Sequence, residues 1–377
     1  MPPKTKATSF TSNWTSNKAS PAALRRFEET FANDMGVGIV RTNKPAKHEV
    51  IPTGSLNLDD ALKIGGYPRG RMVEIWGPEH AGKTSLTMMA VAAAQRADKD
   101  KVAGWIDMEQ TFDPVWAQAL GVDLDRLLLV PNPHTAEDVA DAAKRLVHSG
   151  LCSIVAVDSV GSMITMQEFE KESDEVTVAA VARVVTRMVK QCAPMCMANG
   201  TTFIAINQVR ANISAYGGST TRTGGFALAH ISSIRLNVKR GAGKLTIVSD
   251  GNDLPVGHEV VVRVEKNKLA PYGSVANFFL INVPTQKHGP IGVDKAAESL
   301  PFGVKLGIIE GGAGGRYVLP GDLKFHGVDK AVAHLRTDPA LVEQIRAAML
   351  QKNKEQVDES PDEPQTDDAM AKLLGEL

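Results

Sequence analysis

Apolar and polar positions along this chain form blocks whose period changes. Between about residues 50 and 285, short apolar runs recur: "RMVEIW" (71–76), "VAGWID" (102–107), "CSIVAVD" (152–158) and "TTFIAINQ" (201–208). Each is too short for a helix and rich in β-branched or aromatic residues, so each predicts a strand buried on both faces. Segments with helical spacing lie between them. "KTSLTMMAVAAAQRA" (83–97) follows the first strand, and "TAEDVADAAKRLVHSG" (135–150) opens on a capping threonine and closes at glycine. Strands alternating with helices predict an α/β fold, a mainly parallel sheet with helices on both faces and its site at the strands' C-terminal ends. Farther on, "SSIRLNVKR", "KLTIVSD" and "HEVVVRVEKNK" follow one another without helices and predict an antiparallel extension.

The flanks read differently. Ser20-Pro21 predicts the start of a helix that sets Leu24, Phe27 and Phe31 on one face and stops at Gly36. One such helix cannot bury that face alone, so it needs a surface elsewhere on this chain or on a second copy. After about 286 the pattern predicts a small α+β domain (286–354). A helix-and-hairpin unit comes first, then two helices split at Asp338-Pro339. Its "GGAGG" (311–315) reads as a hairpin turn, because it does not sit between a strand and a helix. The expected domains are therefore 1–44, 45–285, 286–354 and a tail, 355–377.

Composition narrows the class. The 377 residues are 43% hydrophobic and 23% charged, as in a globular protein. No apolar run reaches the length of a membrane span, and the N-terminus lacks the apolar core of a secretory leader, so the expectation is cytosolic. Cys152, Cys192 and Cys196 match no disulfide framework or metal spacing and read as buried thiols. The net charge of −1 hides an acidic tail: eight acids and one base lie between Glu355 and Leu377. The rest is mildly basic, which fits either a polyanion binder or a body with a solubilising tail. In "DDAMAKLLGEL", Met370, Leu373, Leu374 and Leu377 recur at helical spacing, a candidate segment for a partner or for the body itself.

The most specific chemistry lies in "GPEHAGKTS" (77–85), which fits G-x-x-x-x-G-K-[ST]. Gly77, Pro78, Glu79, His80, Ala81, Gly82, Lys83, Thr84 and Ser85 would wrap a nucleotide's phosphates. Backbone N–H groups cradle the oxygens, Lys83 meets the β/γ-phosphates and the Thr84 hydroxyl ligates Mg²⁺. ATP and Mg²⁺ are the expected cofactors. Asp158, ending its strand, is placed to order the Mg²⁺ shell. Glu109 and Asp107 are rival carboxylates for orienting the attacking water, and Gln208 could feel the γ-phosphate. The loop "VRANISAYGGSTTRTGG" (209–225) follows Gln208 directly, with few apolar anchors. It could set Arg210, Arg222 and hydroxyls on nucleic-acid phosphates and Tyr216 against a base. The acidic 165–180 segment reads as solvated helix and loop. Lys266 and Lys268, two residues apart on a strand, repel unless an anion lies between them.

Taken together, "TGSLNLDDAL", "GRMVEIWGPEHAGKTSLT", "WIDMEQTFDPVWAQALGVD", "VAVDSVGSM", "INQVR", "TTRTGG" and "EKNKLAP" resemble the bacterial and bacteriophage RecA recombinase family over roughly 45–275. The resemblance implies a RecA-like core and a DNA-stimulated ATPase. It further implies helical filaments on single-stranded DNA, pairing with homologous duplex and strand exchange. It implies Glu109 as the catalytic carboxylate, Gln208 as γ-phosphate sensor, and Asp113 and Trp116 as the adenine site. Lys266 and Lys268 would reach the ATP of the adjacent subunit. Residues 165–178 and 209–226, with Thr223, Gly224 and Gly225, would form two DNA-binding loops, overruling the solvated reading of the first. The helix at 21–35 would dock on the next protomer, and the tail could meet single-strand-binding or loading proteins. Phe226, Ala229 and His230 depart from the family's "GGNALKF". A ring helicase or a repair accessory ATPase on the same fold is the alternative. The accessory family carries a Cys₄ zinc module and a protease-like domain that this sequence does not match.

Overall fold

The computed structural model describes residues 21–35, 48–170, 178–211, 220–222, 225–249 and 252–358. The chain divides into two compact units, Met1–Lys47 and His48–Leu377. The first holds the helix Pro21–Met35, where the rings of Phe27 and Phe31 meet at 5.9 Å and Phe27 is 58% exposed.

The second unit is organised by one ten-stranded sheet. From one edge the strands run Gly292–Val293, Val275–Ile281, Asn252–Asn267, Ile234–Ser249, Met72–Gly77, Thr202–Ala211, Cys152–Asp158, Val102–Asp107 and Leu127–Pro131. Thr220–Arg222 pairs antiparallel with the end of Thr202–Ala211. Pairing is parallel from Ile234–Ser249 through Leu127–Pro131 and antiparallel from Ile234–Ser249 to the Gly292–Val293 edge.

Side chains two apart share a face, and the sheet is apolar on both. Val73, Ile75, Ile154, Ala156 and Ile204 pack with Leu86, Ala90 and Ala94 of the helix Lys83–Ala97. Met72, Val155, Val157, Phe203 and Ala205 pack with the helices Ala136–His148 and Val178–Asn199. Thr135 caps the former in a reciprocal box with Asp138, as its sequence predicts.

A third core gathers the C-terminal helices Lys295–Lys305, Val328–Thr337 and Pro339–Asp358 around Leu300, Leu335 and Ile345. It also takes in Leu56, and Glu298 accepts from Ser55 Oγ (2.6 Å) and Leu56 N (2.7 Å) at the start of the helix Leu56–Ala61. "GGAGG" spans the last residue of the strand Glu310–Gly311 and the turn to Arg316–Leu319.

Among the described residues the structure differs from the sequence pattern at several points. "SSIRLNVKR" and "KLTIVSD" belong to one strand, Ile234–Ser249, whose break in apolar alternation is absorbed by bulges against Asn252–Asn267. Leu127–Pro131 is an edge strand with Leu128 and Leu129 exposed, hidden within a run that alternation does not mark. The last helix continues to Asp358, past the expected start of the tail at 355. The three cysteines are buried and free.

Candidate nucleotide-binding site

Parallel pairing sets four strand ends side by side. Gly77 pairs with Gln208, and Asp107 with Asp158, so the phosphate loop, Gln208, Asp158 and the residues after Asp107 meet at one edge. The first glycine is fixed by crowding: a Cβ on Gly77 would lie 2.0 Å from the Val238 carbonyl oxygen. Gly82 closes the loop in the left-handed region (φ 95°) as the cap of the helix Lys83–Ala97. That helix's free N–H groups therefore open onto a cavity of about 610 Å³.

Glu79, His80, Gly82, Lys83, Thr84 and Ser85 line this cavity from the loop. Glu109, Thr111, Asp158 and Gln208 line it from the strand ends, and Arg240, His258, Leu280 and Asn282 from the antiparallel strands. Pro78 is exposed and Ala81 buried; the Pro78 carbonyl accepts from Lys83 Nζ at 2.7 Å. Burial lowers the Lys83 pKa, against the pull of Asp158, Glu109 and Glu79. Thr84 Oγ1 donates to Asp158 Oδ2 at 2.8 Å. Burial pushes the Asp158 carboxyl up to about 7, with the charges of Glu109 and Asp107 adding to it. Two hard oxygen donors in contact, one of them a carboxyl short of positive charge, are a donor set that fits Mg²⁺.

Glu109 Oε1 accepts from Gln208 Nε2 at 2.5 Å and from Ser162 Oγ at 3.2 Å. Its backbone N–H bonds the Asp158 carbonyl, so the two acidic strand ends are tied together. The rival Asp107 is turned away: its carboxylate accepts from Thr111 N and Phe112 N, and it does not line the cavity.

The other expected residues lie around this centre. Asp113 caps the helix Pro114–Ala119, accepting from Val115 N and Trp116 N. The Trp116 indole donates to Ser85 Oγ (3.1 Å), so it sits beside the phosphate loop without lining the cavity. Lys266 and Lys268 also lie outside it. Their ammoniums meet at the end of the helix Gly225–Ile231, Lys266 on the carbonyls of Ala229 and His230 and Lys268 on that of His230. Burial, Lys268 and Arg235 lower the Lys266 pKa. Phe226, on the same helix, is 85% exposed. Arg210 pairs with Thr221, and Val209 with Arg222, in the short hairpin beyond Gln208, and Gly225 begins the following helix. Tyr216, Thr223 and Gly224 lie outside the described residues, as do 171–177 of the first loop. Sequence reasoning missed Arg240, His258, Leu280 and Asn282, whose strands reach the cavity only through tertiary pairing.

Fold and site define a P-loop nucleotide-binding protein whose phosphate loop shares its sheet edge with a carboxylate–amide pair. The family model described as "RecA N-terminal domain" matches residues 18–283. A Kineococcus radiotolerans protein named "Protein RecA" is 37% identical over 89% of this chain and 92% of its own length. The Thermus thermophilus protein of that name is 36% identical over 90% of this chain and 96% of its own. The Streptomyces coelicolor one is 37% identical over 94% and 91%. The chain belongs to the RecA family, and is thus an ATP-dependent DNA recombinase with DNA-dependent ATPase activity.

Proposed function

We propose that the cavity holds ATP with Mg²⁺, and that the protein polymerises on single-stranded DNA, pairs it with homologous duplex and exchanges strands. One observation carries the reading. The Glu109–Gln208 pair sits in the phosphate-loop cavity, and the Gln208 strand runs on into the hairpin of Arg210 and Arg222. Hydrolysis and DNA grip then share one strand.

In this reading the N–H groups of 77–85 and the Lys83 ammonium hold the phosphates, and Thr84 and Asp158 hold the cation. Bound Mg²⁺ would supply charge neutralisation at the phosphates. Glu109 orients the attacking water and Gln208 transmits the state of the γ-phosphate. Asp113 and Trp116 receive adenine. Lys266 and Lys268 act on the nucleotide of the neighbouring protomer, to which the helix Pro21–Met35 also binds. Residues 165–178 and 209–226, with Arg210, Tyr216, Arg222, Thr223, Gly224 and Gly225, contact DNA. The acidic tail, 355–377, meets loading or single-strand-binding proteins, and the protein works in the cytosol. Among the described residues no helix is long and apolar enough to cross a membrane.

ATP turnover by the purified protein should rise on adding single-stranded DNA; turnover that ignores DNA sinks the proposal. Electron microscopy with a slowly hydrolysed ATP analogue should give helical filaments, where closed rings would favour a helicase.

A further inference from the structure

The sheet face that covers the helix Lys83–Ala97 is apolar at alternate positions. Leu236 and Val238 lie on one strand, and Val264, Val262 and Val260 on its neighbour, all buried. Carried on in the same period toward the phosphate loop, the next residues are Arg240 and His258. Cross-strand pairing sets Arg240 beside Val260, and the wall they form abuts the loop. A Cβ on Gly82 would lie 3.4 Å from Val260 Cγ2 and 4.0 Å from His258 Nε2.

Both residues line the nucleotide cavity, in different states. The Arg240 side chain is exposed there and makes no hydrogen bond or ion pair among the described residues. Glu259, next to His258, is engaged by Gly243 N–H at 3.0 Å. His258 is 5% exposed, and neither ring nitrogen has a partner. Burial and the Arg240 charge lower its pKa. Lys83 and Arg240 are the lysine and arginine that line the cavity, against three carboxylates, Glu79, Glu109 and Asp158.

We propose that Arg240 is a further phosphate-contacting residue, meeting the nucleotide's polyphosphate from the antiparallel strands, with His258 packed between its strand and the loop. The proposal rests on the reading of this cavity as the nucleotide site. A guanidinium presents a planar fork of donors that matches phosphate oxygens, and its charge counts for more in a partly enclosed site than in open water.

The experiment measures equilibrium binding of ADP with Mg²⁺ to full-length wild type, Arg240→Gln, Arg240→Lys and Lys83→Ala. Arg240→Gln should weaken ADP binding about tenfold or more, with Arg240→Lys in between. If wild type binds ADP and Arg240→Gln binds it equally well, this proposal is overturned and the site reading stands. If wild type binds no nucleotide, the site reading itself fails. Arginine labelling of the wild type with phenylglyoxal, read by mass spectrometry, covers the case of a misfolded variant. ADP and inorganic tripolyphosphate should both protect Arg240, whereas adenosine should not; unprotected Arg240 under saturating ADP overturns the proposal.

Discussion

Replacing Glu298 with glutamine should stabilise the protein clearly at pH 8 and by only about 1 kcal/mol at pH 5. Glu298 is 7% exposed, and burial pushes its carboxyl from the ordinary 4.5 up to about 7. The donors Ser55, Leu56 and Asn57 hold it down only in part, and Asp59 adds to the rise. A shift of that size corresponds to roughly 3 kcal/mol lost by the folded state when the group ionises. The folded protein binds this proton more tightly than the unfolded chain does. The stabilisation is therefore full below about pH 4.5 and disappears as pH rises through about 7. Glutamine keeps the side chain neutral at every pH: its amide can donate to Ser55 Oγ while its oxygen accepts from Leu56 N. The gain of the variant over wild type should thus grow by about 2 kcal/mol between pH 5 and pH 8. Asp59, pushed up to about 6 by burial, is present in both proteins and largely cancels in the comparison. Urea unfolding at each pH, with hydrogen exchange of the 53–58 segment, reads the difference. Parallel profiles for the two proteins, or a variant weaker at pH 8, would refute the reasoning.

Glu109→Gln should lower ATP turnover about a hundredfold or more while ADP affinity stays within about twofold, as steady-state kinetics and equilibrium binding would show. Gly77→Ala must displace backbone, because its Cβ meets the Val238 carbonyl. A loss above about 3 kcal/mol is expected, visible as a lower melting temperature with failing nucleotide binding. If Lys266 and Lys268 serve a neighbour's nucleotide, a protein with both changed to alanine and a Lys83→Ala protein should each be nearly inactive alone. An equimolar mixture on single-stranded DNA should then recover about a quarter of wild-type turnover, since a head-to-tail interface can combine one intact half from each; a mixture as silent as its parts places the lysines elsewhere.

The phosphate loop, its strand and its helix were legible because their chemistry is local. Gly77, Gly82, Lys83 and Thr84 need only one another's spacing, and the helix 83–97 has the bounds its pattern predicts. Asp158 was legible as a strand end and Gln208 as the polar stop of an apolar run, although its strand continues to Ala211, because such stops mark the edge where a parallel sheet places its site. Spacing alone left Asp107 and Glu109 as rivals and only the family resemblance implied Glu109; in the structure the Asp107 carboxylate is taken up by Thr111 N and Phe112 N. Arg240 and His258 break the alternation of a valine-rich face, yet which helix that face covers depends on a strand order that spacing does not encode. Glu298 and Ser55 are 243 residues apart, and no pattern along the chain joins them.

The Glu109–Gln208 hydrogen bond has a mechanical consequence. Gln208 stands two residues before Arg210 on one unbroken extended strand, a separation of about 7 Å. A paired strand resists stretching, so little of a displacement imposed beyond Arg210 can be absorbed before it reaches the Glu109 carboxylate. If Arg210 grips DNA and Glu109 orients the water as proposed, tension in a bound polynucleotide and the aim of that carboxylate would become one coordinate, and the protein would work as a force gauge whose needle is the hydrolytic group.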